Sequence, residues 1–195
     1  MKKQIIFITG TPGCGKTTFA SEIRKSIPEA RIIEINEIVK RFKLFSKIDN
    51  FGSKIVQIEK LSKKLNSIID SEKKDFIVVV GHIAPELDIK PDVAFIIRIS
   101  LKNLEKRLKK RNYPNEKIKE NLISESIDYL GTKAKAKCKK VYEIKTYNEK
   151  KLAIKYLKSL SKGKSTGEYS KKFRRYIEEV NELMNYIKMG NKYKF

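Results

Sequence analysis

The chain has 195 residues, of which 35% are charged, and its 45 Lys+Arg against 23 Asp+Glu give a formal net charge of +22. That length holds one domain with a sizeable core; the charge points to an anionic partner (nucleotide, RNA, DNA or an anionic membrane surface) or to helix faces solvated by lysine. Two cysteines, Cys14 and Cys138, exclude a disulfide framework or zinc cluster, and no apolar stretch approaches a signal-peptide core or a membrane span. The expectation is a soluble protein of a reducing compartment, the cytoplasm, with no membrane partner.

Residues 4–9, QIIFIT, read as a short buried strand closed by glycine, and 16–27 as a helix through Phe19, Ala20, Ile23 and Ile27 that Pro28 stops. Residues 31–35 are a second strand; 36–45 and 53–70 read as helices around a loop, SKIDNFG. The near-continuous apolar runs at 75–80 and 92–99 have the pattern of strands covered on both faces. Charged helices follow at 101–111 and 115–138 on either side of Tyr113-Pro114, then a short strand at 140–146 and a helix at 148–160. Strands alternating with helices predict an α/β domain over 1–160 whose parallel sheet has about five strands flanked by helices. Residues 161–170 have linker composition, and a basic amphipathic helix over 171–189 completes a C-terminal extension, 161–195.

Residues 10–17, Gly-Thr-Pro-Gly-Cys-Gly-Lys-Thr, fit G-x-x-x-x-G-K-[ST] in full. Average composition yields that pattern in about one chain in a hundred of this length, and here it also lies between a predicted strand and a predicted helix, as the motif requires. Its glycines let backbone N–H groups turn inward around an anion, and the helix adds its positive end. Lys16 can reach the β- and γ-phosphates of ATP, and the Thr17 hydroxyl can ligate Mg²⁺. Cys14 fills a small loop position rather than serving as a nucleophile. Arg107 and Arg111, at i,i+4 on one helix, leave the same face, and arginine suits bidentate phosphate contact. Both read as catalytic lid residues, with a solvated basic helix as the alternative. Tyr113 either stacks on adenine or packs at a hinge; Glu37 either orients magnesium-bound water or is a helix-start acid favoured by the dipole.

His82, the single histidine, follows the third strand. If that strand lies beside the first, His82 emerges next to the γ-phosphate, able to orient water, bond the Mg²⁺ shell or act as acid/base; otherwise it caps the strand end. Residues 101–140 carry 13 basic against 5 acidic residues and 161–195 carry 9 against 4. Tyr169, Phe173, Tyr176 and Tyr186 within the extension suit RNA or ribosomal-protein contact, or a face packed on the domain.

The segments GTPGCGKTT, VVVGH, LEKRLKKRNYPNEKIKENLISE and YEIKT together resemble the adenylate kinase isoenzyme 6 family and its archaeal relatives, over residues 1–160. The stretch Arg107 to Glu125 is the family-specific part. The resemblance implies a P-loop kinase core with a short monophosphate-binding segment (35–57) and lid (110–120), transfer of phosphate between ATP and AMP or ATP hydrolysis, and a role in small-ribosomal-subunit maturation with a ribosomal protein and rRNA as partners. Gly13, Cys14, Gly15, Lys16, Thr17 and Thr18 would hold ATP, Arg111 would touch its phosphates, and Glu37 falls where the family has an acid. Several positions depart from the family: eukaryotic relatives read acid-x-His after the third strand where this chain has Val80-Gly81-His82, KLFSKIDNFGSK is basic, Asn112 replaces glycine, and relatives are expected to lack so long a basic extension. Two functions follow. One is an ATP-dependent nucleoside monophosphate kinase with ATPase activity; the other is an assembly factor in which nucleotide switches an RNA- or ribosomal-protein-binding surface.

Overall fold

The structure, a computed structural model, describes residues 3–48 and 54–172. Phe173, Tyr176, Tyr186 and all but the first two residues of the expected helix 171–189 lie outside the described residues. The five expected strands are present: β1 (Gln4–Thr9), β2 (Arg31–Glu34), and three that, counting the hairpin below, become β5 (Phe76–Val80), β6 (Val93–Ile97) and β7 (Val141–Ile144). They form one parallel sheet in the order β2-β5-β1-β6-β7.

Alternation along each strand divides the core. Ile6 and Ile8 of β1, Val78 of β5 and Phe95 of β6 point to one face, packed under α1 (Lys16–Ser26) and α7 (Tyr147–Ser161) through Phe19, Ile23, Tyr156 and Leu157. Phe7, Ile77, Val79, Ala94 and Ile96 point to the other, under α2 (Ile35–Arg41), α3 (Ile58–Ser71) and α6 (Tyr129–Lys137). Every residue of β5 and β6 is buried, as their unbroken apolar runs require. At about 1.5–3 kcal/mol for each large apolar side chain taken from water, this double-faced burial is the main source of the sheet's stability. Thr146 and Glu149 close a reciprocal capping box at the start of α7.

The helices expected at 36–45 and 53–70 are shorter. Lys43 adopts φ 51° just past α2, and the chain then forms an antiparallel hairpin of β3 (Phe45–Ile48) and β4 (Lys54–Val56) before α3. The single helix expected over 115–138 is two, α5 (Asn115–Ser126) and α6, broken where Asp128 takes φ 53° and carries its carboxylate to Arg98. The stretch of linker composition is also structured: α8 (Gly167–Lys172) folds back on the domain, with Thr166 buried, Tyr169 against the α1–α7 core and Tyr142 Oη donating to Ser170 Oγ at 2.7 Å.

β1 lies between β5 and β6, so the chain leaves the middle of the sheet in both directions from one strand. Its carboxyl end is where open α/β sheets gather ligands. Gly81 follows β5 there, its N–H donating to Ile8 O at 3.1 Å. A Cβ at Gly81 would lie 2.7 Å from Cδ1 and 2.9 Å from Cβ of Ile35. Gly81→Ala is therefore expected to destabilise the fold by about 1–3 kcal/mol through overpacking, read as a lowered thermal midpoint; an unchanged midpoint would mean that Ile35 does not set the residue at 81.

Candidate active site

The loop after β1 turns on Gly13 (φ 92°) and Gly15 (φ 109°), left-handed positions that glycine alone adopts without strain. Gly15 is the residue preceding α1, so the loop's N–H groups and the helix's positive end face one space. Pro12, Gly13, Gly15, Lys16, Thr17 and Thr18 form one wall of a cleft; Asn36, His82, Arg111 and Tyr113 form the rest. Lys16 Nζ is turned inward, donating to Gly10 O at 2.6 Å and Thr11 O at 3.0 Å. Burial lowers the Lys16 pKa; Cys14 and Glu125 oppose the shift and Arg111 adds to it.

Cys14 is buried and its thiol is pushed up by burial against the pull of Lys16, so it remains protonated and fills the loop. His82 meets the cleft as expected, but burial and then Lys16 lower its pKa to about 4. The imidazole is therefore neutral near pH 7, the form that can accept a proton or a hydrogen bond. Its own carbonyl accepts from Thr9 Oγ1 at 3.4 Å.

The two arginines of the helix at 101–111 separate. Arg111, just past α4 (Leu101–Lys110), lines the cleft, whereas Arg107 Nη1 donates to the backbone carbonyls of Gly13 and Cys14 at 3.2 and 3.3 Å. Arg107 therefore grips the loop from outside rather than sharing Arg111's position. Of the two places expected for Glu37, the structure gives the helix-start one: it lies exposed in the first turn of α2, while Ile35 and Val39 face the core and Asn36 is the residue of that turn lining the cleft.

Among the described residues, no three or more His, Cys, Asp or Glu side chains are arranged to hold a metal. The cleft fits a magnesium–nucleotide, toward which the Thr17 hydroxyl would supply the protein's oxygen ligand.

A family model described as an AAA domain matches residues 6–128. The chain belongs to this family. A relative named "Putative adenylate kinase" from Methanocaldococcus jannaschii is 37% identical over 144 residues, covering 73% of this chain and 77% of its own. One of the same name from Methanosarcina barkeri is 32% identical over 143 residues, covering 73% and 76%. Within the AAA-domain family, the chain thus sits in an adenylate-kinase-like group. A third, from Saccharolobus islandicus, is 25% identical over 93% of this chain and 96% of its own. That share cannot be reached without entering residues 161–195, so the match to this relative runs into the extension. Two solved structures share the fold. Shikimate kinase from Acinetobacter baumannii has TM-score 0.57 and 15% identity, covering 83% of this chain and 95% of that one. Shikimate kinase from Bacteroides thetaiotaomicron has 0.53 and 16%, covering 82% and 98%.

Sequence reasoning in this adenylate-kinase-like chain assigned no role to a buried cluster under the loop. Arg98, at the end of β6, pairs with Glu125 at 3.2 Å, Glu143 at 3.0 Å and Asp128. Burial works against its charge, but Glu125, Glu143 and Asp128 outweigh burial and raise its pKa; burial in turn raises that of Glu143. Thr11 Oγ1 donates to Glu125 Oε2, linking the cluster to the loop. The available signal was Arg98 itself, a charge inside VAFIIRI that must find buried carboxylates.

The lowered His82 pKa has a consequence for stability. The unfolded chain takes up the proton near pH 6.5 and the folded one only near 4, so stability is complete above about 6.5 and is lost as pH falls toward 4. Urea titrations should show wild type losing more stability than His82→Gln across that window. A difference independent of pH, or an imidazole titrating near 6.5 by NMR, would contradict the buried neutral histidine.

Proposed function

We propose that the protein transfers the γ-phosphoryl group of ATP to a nucleoside monophosphate, with AMP the first acceptor to test, and hydrolyses ATP when no acceptor is bound. The observation that carries this is the single cleft joining the phosphate loop to Asn36, His82, Arg111 and Tyr113 at the carboxyl ends of β1 and β5. ATP and Mg²⁺ supply the transferable group and a bridging cation. The N–H groups of 13–18 and the start of α1 bind phosphate, and Lys16 exchanges the Gly10 and Thr11 carbonyls for phosphate oxygens. Arg111 adds a second positive charge from the opposite wall, where charge develops in transfer. Tyr113 borders the cleft where a base can stack. Neutral His82 accepts or donates one hydrogen bond to orient an acceptor hydroxyl or water, and the segment 35–57 with its hairpin covers the monophosphate.

The resemblance to the adenylate kinase isoenzyme 6 family, with the net charge of +22, supports action in small-ribosomal-subunit maturation, with rRNA and a ribosomal protein as partners. A second reading, a nucleotide-switched assembly factor, is favoured by Lys16 being satisfied by loop carbonyls: nucleotide must rearrange a self-bonded loop.

Incubating the protein with ATP and AMP, CMP, GMP, UMP or water decides between them. Fast ADP formation with one monophosphate is the expected result; slow formation unchanged by every acceptor would replace the kinase with the switch. Lys16→Ala should lower turnover by at least about 100-fold and Arg111→Ala should lower kcat more than it raises KM for ATP. Wild-type turnover in Lys16→Ala would remove the loop as the site of chemistry.

RNA affinity should fall steeply with salt, because released counterions drive phosphate binding. Since α8 packs on the domain, the extension is best cut after 172. That truncation should shrink the salt slope and leave ATP turnover intact; no binding at low salt would reduce the charge to solubility.

A further inference from the structure

The phosphate loop is held from outside at two points. On one flank Arg107 of α4 donates to the carbonyls of Gly13 and Cys14. A Cβ at Gly13 would meet Leu104 and Leu108 of the same helix at 3.3 and 3.2 Å, so loop and helix are already in close contact there. On the other flank Thr11, 1% exposed, donates its hydroxyl to Glu125 of α5. The Glu125 side chain is 7% exposed, and its second oxygen accepts from Arg98 Nη1 at 3.2 Å. Arg98 is itself fixed by Glu143 of β7 and by Asp128 at the break before α6. Charge-assisted bonds of this kind are short and directional, and in a buried site neither partner has water as a substitute.

Helices α4 and α5 pack on each other through Leu104, Leu108 and Ile118. The turn between them delivers Arg111 and Tyr113 to the cleft. Both helices are therefore anchored to the loop, one on each side of the turn that carries Arg111 and Tyr113.

We propose that Glu125 is a positioning residue: bonded to Thr11 and Arg98, it locks the α4–α5 pair to the phosphate loop, so that Arg111 is presented from a fixed base rather than from a swinging lid. The kinetic consequence rests on the phosphoryl-transfer reading, while the lock itself does not. A reacting centre misplaced by about 1 Å can lose on the order of 100-fold in rate, and the lock sets the distance between Lys16 and Arg111.

The test compares Thr11→Val, which removes the hydroxyl at nearly constant shape, with Thr11→Ser, which keeps it, and with Glu125→Gln. Two quantities are read: kcat and KM for ATP with the active acceptor, and amide hydrogen exchange of 115–126 in nucleotide-free protein. Thr11→Val and Glu125→Gln should each lower kcat at least about 10-fold while KM changes less than about 3-fold. Thr11→Ser should stay within about 2-fold of wild type, and the Thr11→Val/Glu125→Gln double variant should be little worse than the poorer single one, because both interrupt the same Thr11–Glu125–Arg98 chain. Exchange in α5 should accelerate in Thr11→Val and not in Thr11→Ser. If Glu125→Gln does not fold, the Val and Ser variants at position 11 still decide the matter. Thr11→Val matching wild type in both measurements, Thr11→Ser failing as badly as Thr11→Val, or additive losses in the double variant would each overturn the proposal. If wild type turns over no nucleotide, the phosphoryl-transfer reading fails, and the exchange comparison alone then upholds or overturns the lock.

Discussion

Positive charge converges on one loop before any anion is present, and the structure depends on how that repulsion is cancelled. Lys16, Arg98, Arg107 and Arg111 all surround the stretch from Gly10 to Thr18. Lys16 and Arg107 are matched by the loop's own carbonyls at Gly10, Thr11, Gly13 and Cys14. Arg98 is matched by three carboxylates, one of which reaches the loop through Thr11. Neutral backbone carbonyls bind a cation less strongly than carboxylates do, and under the proposed function a phosphate would displace the former and not the latter. The site thus contains both exchangeable and permanent partners for its cations, and the division falls between Lys16 and Arg98.

This arrangement needs a rigid base. β1 supplies it, hydrogen-bonded to β5 on one edge and β6 on the other, with the apolar side chains of all three strands buried in alternation on two faces. A loop that turns through two left-handed glycines and carries a desolvated lysine is unfavourable locally. It persists because the strand beneath it cannot shift without breaking both ladders. His82 shares in this, since Gly81 ties β5 to β1 at Ile8 and brings the histidine over the loop.

Much of this was legible in the sequence. The loop was readable because its chemistry demands fixed residue types at fixed spacing, and β5 and β6 because double-faced burial demands unbroken apolar runs. The hairpin at Phe45–Val56 was not, since two short strands in a basic segment have neither the length nor the alternation to outvote a helical pattern. The break at Asp128 was hidden for a different reason: local propensity favours one helix over 115–138, and the tertiary demand of Arg98 for a carboxylate overrides it. Glu125 could be seen as part of a family pattern but its partner lies 27 residues away, beyond what helical spacing reveals. Arg107 and Arg111 show the same limit: i,i+4 spacing fixes a shared face, but not which of two acceptors each side chain meets.

Residue choice follows the same division. The chain has 45 basic residues, yet the positions where geometry matters most, Arg98, Arg107 and Arg111, are arginines. Arg98 bonds three carboxylates and Arg107 two carbonyls, tasks for a planar fork with several donors in fixed directions; a lysine at either place would satisfy one acceptor well and leave another buried and unmatched. Lys16 is the exception, and its task is the opposite one. In the proposed transfer it would exchange Gly10 and Thr11 for a phosphate, which suits a compact charge on a flexible stem better than a fork held in one plane.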